Sequence, residues 1–330
     1  TRLAQLIRFG SDGVNPYSNP VANPVYPPLN SNHRVFVEYS NEIWSNGDSF
    51  SQGNWAQEQA NVLGLSKPQF NARRFCQGWR IFQSVFAGES ARVVRVAAVW
   101  TGLQTYTEPF LNEIAAYGPT LTPPQTADVI APTTYFGNGV QDWAYAKAQQ
   151  QAGTADPWFF TTNTFVDGTT VKPVSLAANN PYWMSQNLTR HLAETFVEWK
   201  RRQLSGATQT GGGPDATGIG GGFDGWLRAA ISNAFGTLKP IVSYEGGPSI
   251  YSDYLDWGDV RDDGITTFME LLNRQPQFAD VYRIHLNQAK AKGLRTHGAF
   301  VDVGAWGKYG QWGHLEYADQ NPDSAVKWRF

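Results

Sequence analysis

The sequence predicts an α/β fold built on a buried parallel sheet. Three observations point to it. Strand-like runs alternate with helix-like runs, the strand runs are almost continuously apolar, and no internal repeat breaks the series. With 330 residues, 41% of them hydrophobic, the chain can bury one large core or two modest ones. The glycine-rich stretch Gly206 to Gly222 is the only linker-like segment, and strands of like character flank it, so one domain over 1–330 is expected.

The elements follow in order. Leu3, Leu6 and Ile7 share a helix face that ends near Gly10. Asn15 to Asn30 is too rich in proline and asparagine for regular structure. Arg34 to Ser40 is a β-branched and aromatic run of strand length. Asn54 to Gly88 has a helical pattern broken near Gly64–Pro68. Arg92 to Trp100 is the second strand, Leu111 to Tyr117 a short helix, and Asp128 to Tyr135 the third strand. A helix near Gln141–Gln151 comes next. A longer one over Pro181–Leu204 follows, where Trp183, Leu188, Leu192, Phe196 and Trp199 recur as a core stripe. Beyond the glycine-rich loop, a helix is expected at Trp226–Phe235 and a fourth strand at Pro240–Glu245. Helices at Phe268–Leu272 and Val281–Lys292 precede a fifth strand at Gly298–Val303.

Composition removes several classes of function. Lys and Arg total 26 against 28 Asp and Glu, a net charge of −2, which gives no footprint for nucleic acid or an anionic membrane. The pairs Arg73–Arg74 and Arg201–Arg202 read as solvated helix faces. No apolar run approaches the roughly 18 residues that a membrane span needs. One cysteine, Cys76, rules out an internal disulfide framework and a cysteine-based zinc site, and its helical setting suits a buried thiol. Gly220, Gly222 and Gly225 match a dinucleotide fingerprint in spacing, but a loop precedes them where a strand is required. Asp253, Asp256, Asp259, Asp262 and Asp263 lack EF-hand spacing and read as a solvated acidic loop. His33, His191, His285, His297 and His314 show no close ligand spacing, and no Gly-x-Ser-x-Gly occurs. Neither a metal nor a cofactor is expected. The aromatic load of 13 Trp, 14 Tyr and 19 Phe leans instead toward carbohydrate, because flat rings stack on the C–H faces of sugars.

Two glutamates stand where strands end. Glu42 follows the first apolar strand directly after Asn41, and Glu245 closes the fourth and is followed by Gly246 and Gly247. Glu38, in the middle of the first predicted strand, has a structural partner as its simplest role. In a parallel barrel the C-terminal strand ends converge on one face, so carboxylates remote in sequence can meet there. The glycines after Glu245 would allow a tight turn and close approach of a ligand to the backbone.

Asn41–Glu42 at one strand end, with Glu245 three strands later, resembles the clan A retaining glycoside hydrolases. The stretch Val35 to Gln59 is also similar to secreted bacterial proteins labelled cellulose-binding. The resemblance implies a (β/α)8 barrel of which strands four to eight are visible. It further implies Glu42 as acid/base, Glu245 as nucleophile, and a carboxyl separation of about 5 to 5.5 Å. Asn41 would hold the sugar 2-hydroxyl, Tyr135 would hydrogen-bond the nucleophile, and Trp306 or Trp312 would form the aromatic platform after strand eight. Trp100, ending strand five, is a further wall candidate. A secreted or periplasmic setting and a β-linked poly- or oligosaccharide substrate follow from the same likeness. Only 33 residues precede strand four, where three βα units of about 30 residues each would stand, so an upstream segment or chain completing the barrel is expected. The rival readings are a non-catalytic carbohydrate-binding protein and a surface structural subunit on a degenerate barrel.

Overall fold

A computed structural model describes residues 1–137, 139–151, 154, 156, 158–159, 164–167, 170–173, 187–205, 225–250, 264–307 and 309–328. The chain divides into two compact units: Thr1–Pro132 with Trp226–Val242, and Thr133–Gly225 with Ser243–Phe330. Elements are numbered in chain order.

In the first unit, helix α1 (Arg2–Phe9) stops at Gly10, whose positive φ of 79° suits a residue without Cβ. The proline-rich segment that follows folds back so that Ser11 and Tyr26 exchange backbone hydrogen bonds of 3.0 Å. Strands β1 (Val35–Val37), β2 (Val93–Val99) and β3 (Val129–Pro132) form a parallel sheet in that order, with Val37 opposite Arg95 and Val99 opposite Pro132. Ile241 extends the sheet beside Ile130 through a parallel bridge. Sheet order therefore follows chain order, as βα crossovers produce. The crossovers are α2 (Ser51–Val62) with α3 (Lys67–Val85), then α4 (Gln104–Tyr117); α7 (Leu227–Phe235) precedes Ile241. A reciprocal cap between Ser66 and Gln69, with Pro68 in the first turn, starts α3 where the sequence breaks its pattern. Phe75 packs edge-on against Trp79 and against Phe110 of α4, and the Trp79 indole donates to the Val37 carbonyl at 2.9 Å. The one charge in β2, Arg95, is held by both oxygens of Asp128 at 2.9 and 2.6 Å. Cys76 is buried, and burial pushes its thiol up to about 12, so it is an inert core group.

In the second unit, β4 (Thr134–Phe136) pairs in parallel with β7 (Gly246–Pro248), and β5 (Thr164–Asp167) pairs antiparallel with β6 (Thr170–Pro173). Helices α5 (Val140–Gln151), α6 (Leu188–Ser205), α8 (Gly264–Asn273) and α9 (Phe278–Ala291) complete it. Leu192, Phe196 and Trp199 face the core with Phe136, Phe268 and Phe278, while Val197 on the opposite face of α6 is 71% exposed. The predicted stripe is thus core. Trp183, Gly220, Gly222 and the acidic cluster from Asp253 to Asp263 lie outside the described residues.

Four predicted strands differ from what forms. Of Arg34–Ser40 only Val35–Val37 pairs, because the chain turns away at Ser40 with a φ of 63°. The run Asp128–Tyr135 is two strands, broken at Pro132–Thr133, because proline has no N–H to continue a ladder. In Pro240–Glu245, only Ile241 bridges to a strand neighbour; the Ser243 hydroxyl donates to the Glu245 carbonyl at 2.5 Å, a local bond that competes with the ladder. Regular pairing resumes at Gly246. Gly298–Val303 forms no regular strand: it bends at Phe300 and Asp302, and its amides divide between two neighbours. Phe300 N donates to Gly246 O at 2.8 Å and Val301 N to Trp312 O at 3.3 Å, leaving one isolated bridge from Val303 to Leu315. Among the described residues no helix is long and apolar enough to cross a membrane.

Candidate active site

Past Val37 the chain leaves the C-terminal edge of the sheet, with Glu38 just beyond the strand. Ser40 and Glu42 adopt φ values of 63° and 42°, a left-handed conformation that is uncommon for residues with a side chain. The chain turns sharply there and drives Ile43 and Trp44 into the interior, and Ser45 N closes the turn on Glu42 O at 2.9 Å. The surroundings hold that backbone in place. The buried Lys67 ammonium donates to Trp44 O at 2.9 Å, Ser45 O at 3.2 Å and Asn46 Oδ1 at 2.6 Å. Gln52 Nε2 reaches Asn41 O at 3.0 Å. Gly53 lies so close below the loop that a Cβ there would meet the Ser45 carbonyl at 1.7 Å.

The Glu42 side chain is partly buried, and desolvation raises its carboxyl above the ordinary glutamate value. Asn41 beside it is exposed. Trp100 follows the last residue of β2 and is 36% exposed, and its carbonyl accepts from the Thr107 hydroxyl at 2.9 Å. Since β1 and β2 are parallel neighbours, the Glu42 loop and Trp100 emerge from the same sheet edge. Both predicted residues thus follow the C-terminal ends of neighbouring strands within the first unit.

Glu245 belongs to the second unit, where it is partly buried and its carbonyl accepts from Thr134 N at 3.0 Å. Tyr135 lies opposite Gly247 in the β4–β7 register. Its ring packs edge-on against Trp312 at 5.3 Å and Phe300 at 6.3 Å. Trp312 folds back because Gly310 has no side chain: a Cβ there would stand 2.2 Å from the indole nitrogen. Trp306 is set differently. Its indole donates to Gly313 O at 2.9 Å, and its ring has Lys327 Nζ at 4.4 Å and the Arg274 guanidinium at 5.0 Å. Of the two platform candidates, Trp312 is the one in contact with Tyr135.

Sequence reasoning missed a polar chain beneath Glu245. Its backbone carbonyl accepts from Ser243 Oγ, which lies 2.8 Å from Thr134 Oγ1. That hydroxyl lies 2.9 Å from His297 Nδ1, whose Nε2 is 3.1 Å from the Tyr282 hydroxyl. Gly246 makes room for it, since a Cβ would strike Thr134 Oγ1 at 2.3 Å and His297 Cε1 at 2.8 Å. Burial lowers His297 and His314 to about 4 and His285 to about 3, which keeps all three imidazoles neutral at neutral pH. These residues come from β4, α9 and separate loops, so no local spacing announces them. His191 is core, stacked on Trp158 at 4.5 Å, and His33 is exposed. Among the described residues no group of three or more His, Cys, Asp or Glu is placed to hold a metal.

No family model, curated protein or solved structure gives a significant match to this chain.

Proposed function

We propose that the chain hydrolyses O-glycosidic bonds of a β-linked poly- or oligosaccharide by double displacement. Glu42 acts as acid/base and Glu245 as nucleophile, on the barrel framework that the sequence resemblance implies. The observation that supports the reading most is the state of Glu42. A glycosidic oxygen leaves only when protonated, so its donor must keep a proton near neutral pH. Glu42, in the loop that follows a parallel strand and partly desolvated, has its carboxyl shifted in that direction. Trp100 at the same sheet edge offers an indole for a sugar ring. The role of Glu245 rests on the likeness in sequence: a glutamate at an apolar strand end followed by two glycines. In this mechanism ionised Glu245 attacks the anomeric carbon as Glu42 protonates the leaving oxygen. Glu42 then takes a proton from the water that releases the sugar.

The test is reducing-sugar release from β-glucans, mannans and their oligomers, with product anomers followed by NMR. Retained configuration is expected. Glu42→Gln and Glu245→Gln should each lower turnover by about 10²-fold or more while leaving the circular dichroism spectrum unchanged. With an activated aryl glycoside, azide should rescue a Glu245→Ala variant with inversion and a Glu42→Ala variant with retention. Glycan binding without any hydrolysis would replace this reading with a lectin-like one.

A further inference from the structure

A second site lies in the first unit, on the helical side of the sheet, and owes nothing to Glu42 or Glu245. Between α2, α3 and the end of α4 opens a cleft of about 450 Å³. That size suits a ring-sized ligand. One wall is Trp55, 42% exposed and fixed edge-on against Phe70 at 5.7 Å. The polar lining is built in advance. Arg73 is committed, with Nε at 2.6 Å from Glu113 and its guanidinium 5.1 Å from the Tyr117 ring centroid. Arg74 is anchored without being neutralised. Its guanidinium stacks over Tyr39 at 5.3 Å, Nη1 donates to Gln77 Oε1 at 3.0 Å, and Gln77 Nε2 continues to the Tyr117 hydroxyl at 3.3 Å. Among the described residues no carboxylate lies within salt-bridge distance of Arg74, and its Nη2 donates to none of them.

A half-buried guanidinium locked in orientation, with a free edge and no counter-charge, is arranged to take a carboxylate through a charge-assisted hydrogen bond. The Trp55 indole in the same cleft accepts the C–H face of a saturated ring, and the Gln59 side chain, which makes no hydrogen bond to another described residue, offers an amide for hydroxyls. The geometry points to a binding site for a uronic acid residue, with its carboxylate on Arg74 and its pyranose ring on Trp55. The shared chemistry is a six-membered ring bearing one carboxylate, and the probes separate the sugar from a simple ring acid.

Calorimetric titration of the full chain with digalacturonate, cellobiose and benzoate tests this. Digalacturonate should bind, weaken as salt is raised, and lose about tenfold or more in affinity in Arg74→Met. Should Arg74→Met fail to fold, Trp55→Ala, at a side chain that is 42% exposed, carries the same expected loss. Cellobiose binding as tightly would overturn the role of the carboxylate, and benzoate binding as tightly would overturn the sugar. Absence of digalacturonate binding, or affinity unchanged in a folded variant, would overturn the site itself.

Discussion

Lys67 shows how much a single side chain contributes to the candidate active site. A lysine is almost never fully buried without partners, and here its ammonium spans two carbonyls and an amide oxygen of the loop that carries Glu42. Lys67→Met keeps the length of the stem and strands those acceptors. It should destabilise the protein by about 1–3 kcal/mol in denaturant unfolding. If Glu42 is the acid, turnover should fall further than the stability loss explains. The apolar run before Glu42 was legible in the sequence, though β1 pairs only to Val37 and Glu42 lies in the turn beyond it. Lys67 was not. In sequence it is an ordinary charged residue at a helix start, and only the folded loop above it reveals its partners. The same holds for His297 and Thr134, whose contact joins residues far apart in the chain.

At the scale of elements, helices were read well and strands less so. The break at Gly64–Pro68 separates α2 from α3 because Ser66, Pro68 and Gln69 form a local stop-and-start signal. Periodicity says nothing of whether an apolar run keeps one neighbour, so the division at Pro132 and the split partners of Gly298–Val303 were hidden. Gly53 gives a further case, because intrinsic propensity and packing disagree there. Alanine favours a helix over glycine by about 1 kcal/mol, yet a methyl group at this position would overlap the Ser45 carbonyl. Gly53→Ala should therefore destabilise by about 1–3 kcal/mol in guanidinium unfolding. Gly78→Ala, in α3 with open space around its Cβ, should stabilise instead. Equal gains in both variants would show that the α2 contact is soft.

For the molecule as a whole, the buried histidines set the response to acid. His285 is fully buried and stacked on Phe136 at 4.2 Å, with His297 5.6 Å away. In the folded chain these imidazoles stay neutral down to about pH 4 or below, whereas in the unfolded chain they take protons below about pH 6.5. The unfolded state then binds more protons, so stability is full above about pH 6.5 and is lost as pH falls toward about 4. The melting temperature should decline across that window, and His285→Phe should flatten the decline. A profile that is flat from pH 6.5 to 4 in the unmodified chain would contradict the burial of these rings. Composition had indicated a near-neutral molecule with an ample core, which this arrangement fits; the inward placement of the histidines is a property of tertiary packing alone.

The sheet neighbour of Ile130 has a consequence for biosynthesis. Its amide and carbonyl are satisfied by Pro240 and Val242, which the ribosome makes about a hundred residues later. Until that second visit, the nascent β3 presents a bare flank of the kind that recruits foreign strands. The first unit cannot close on its own opening segment, and the intervening stretch must be translated before its fourth strand position is filled.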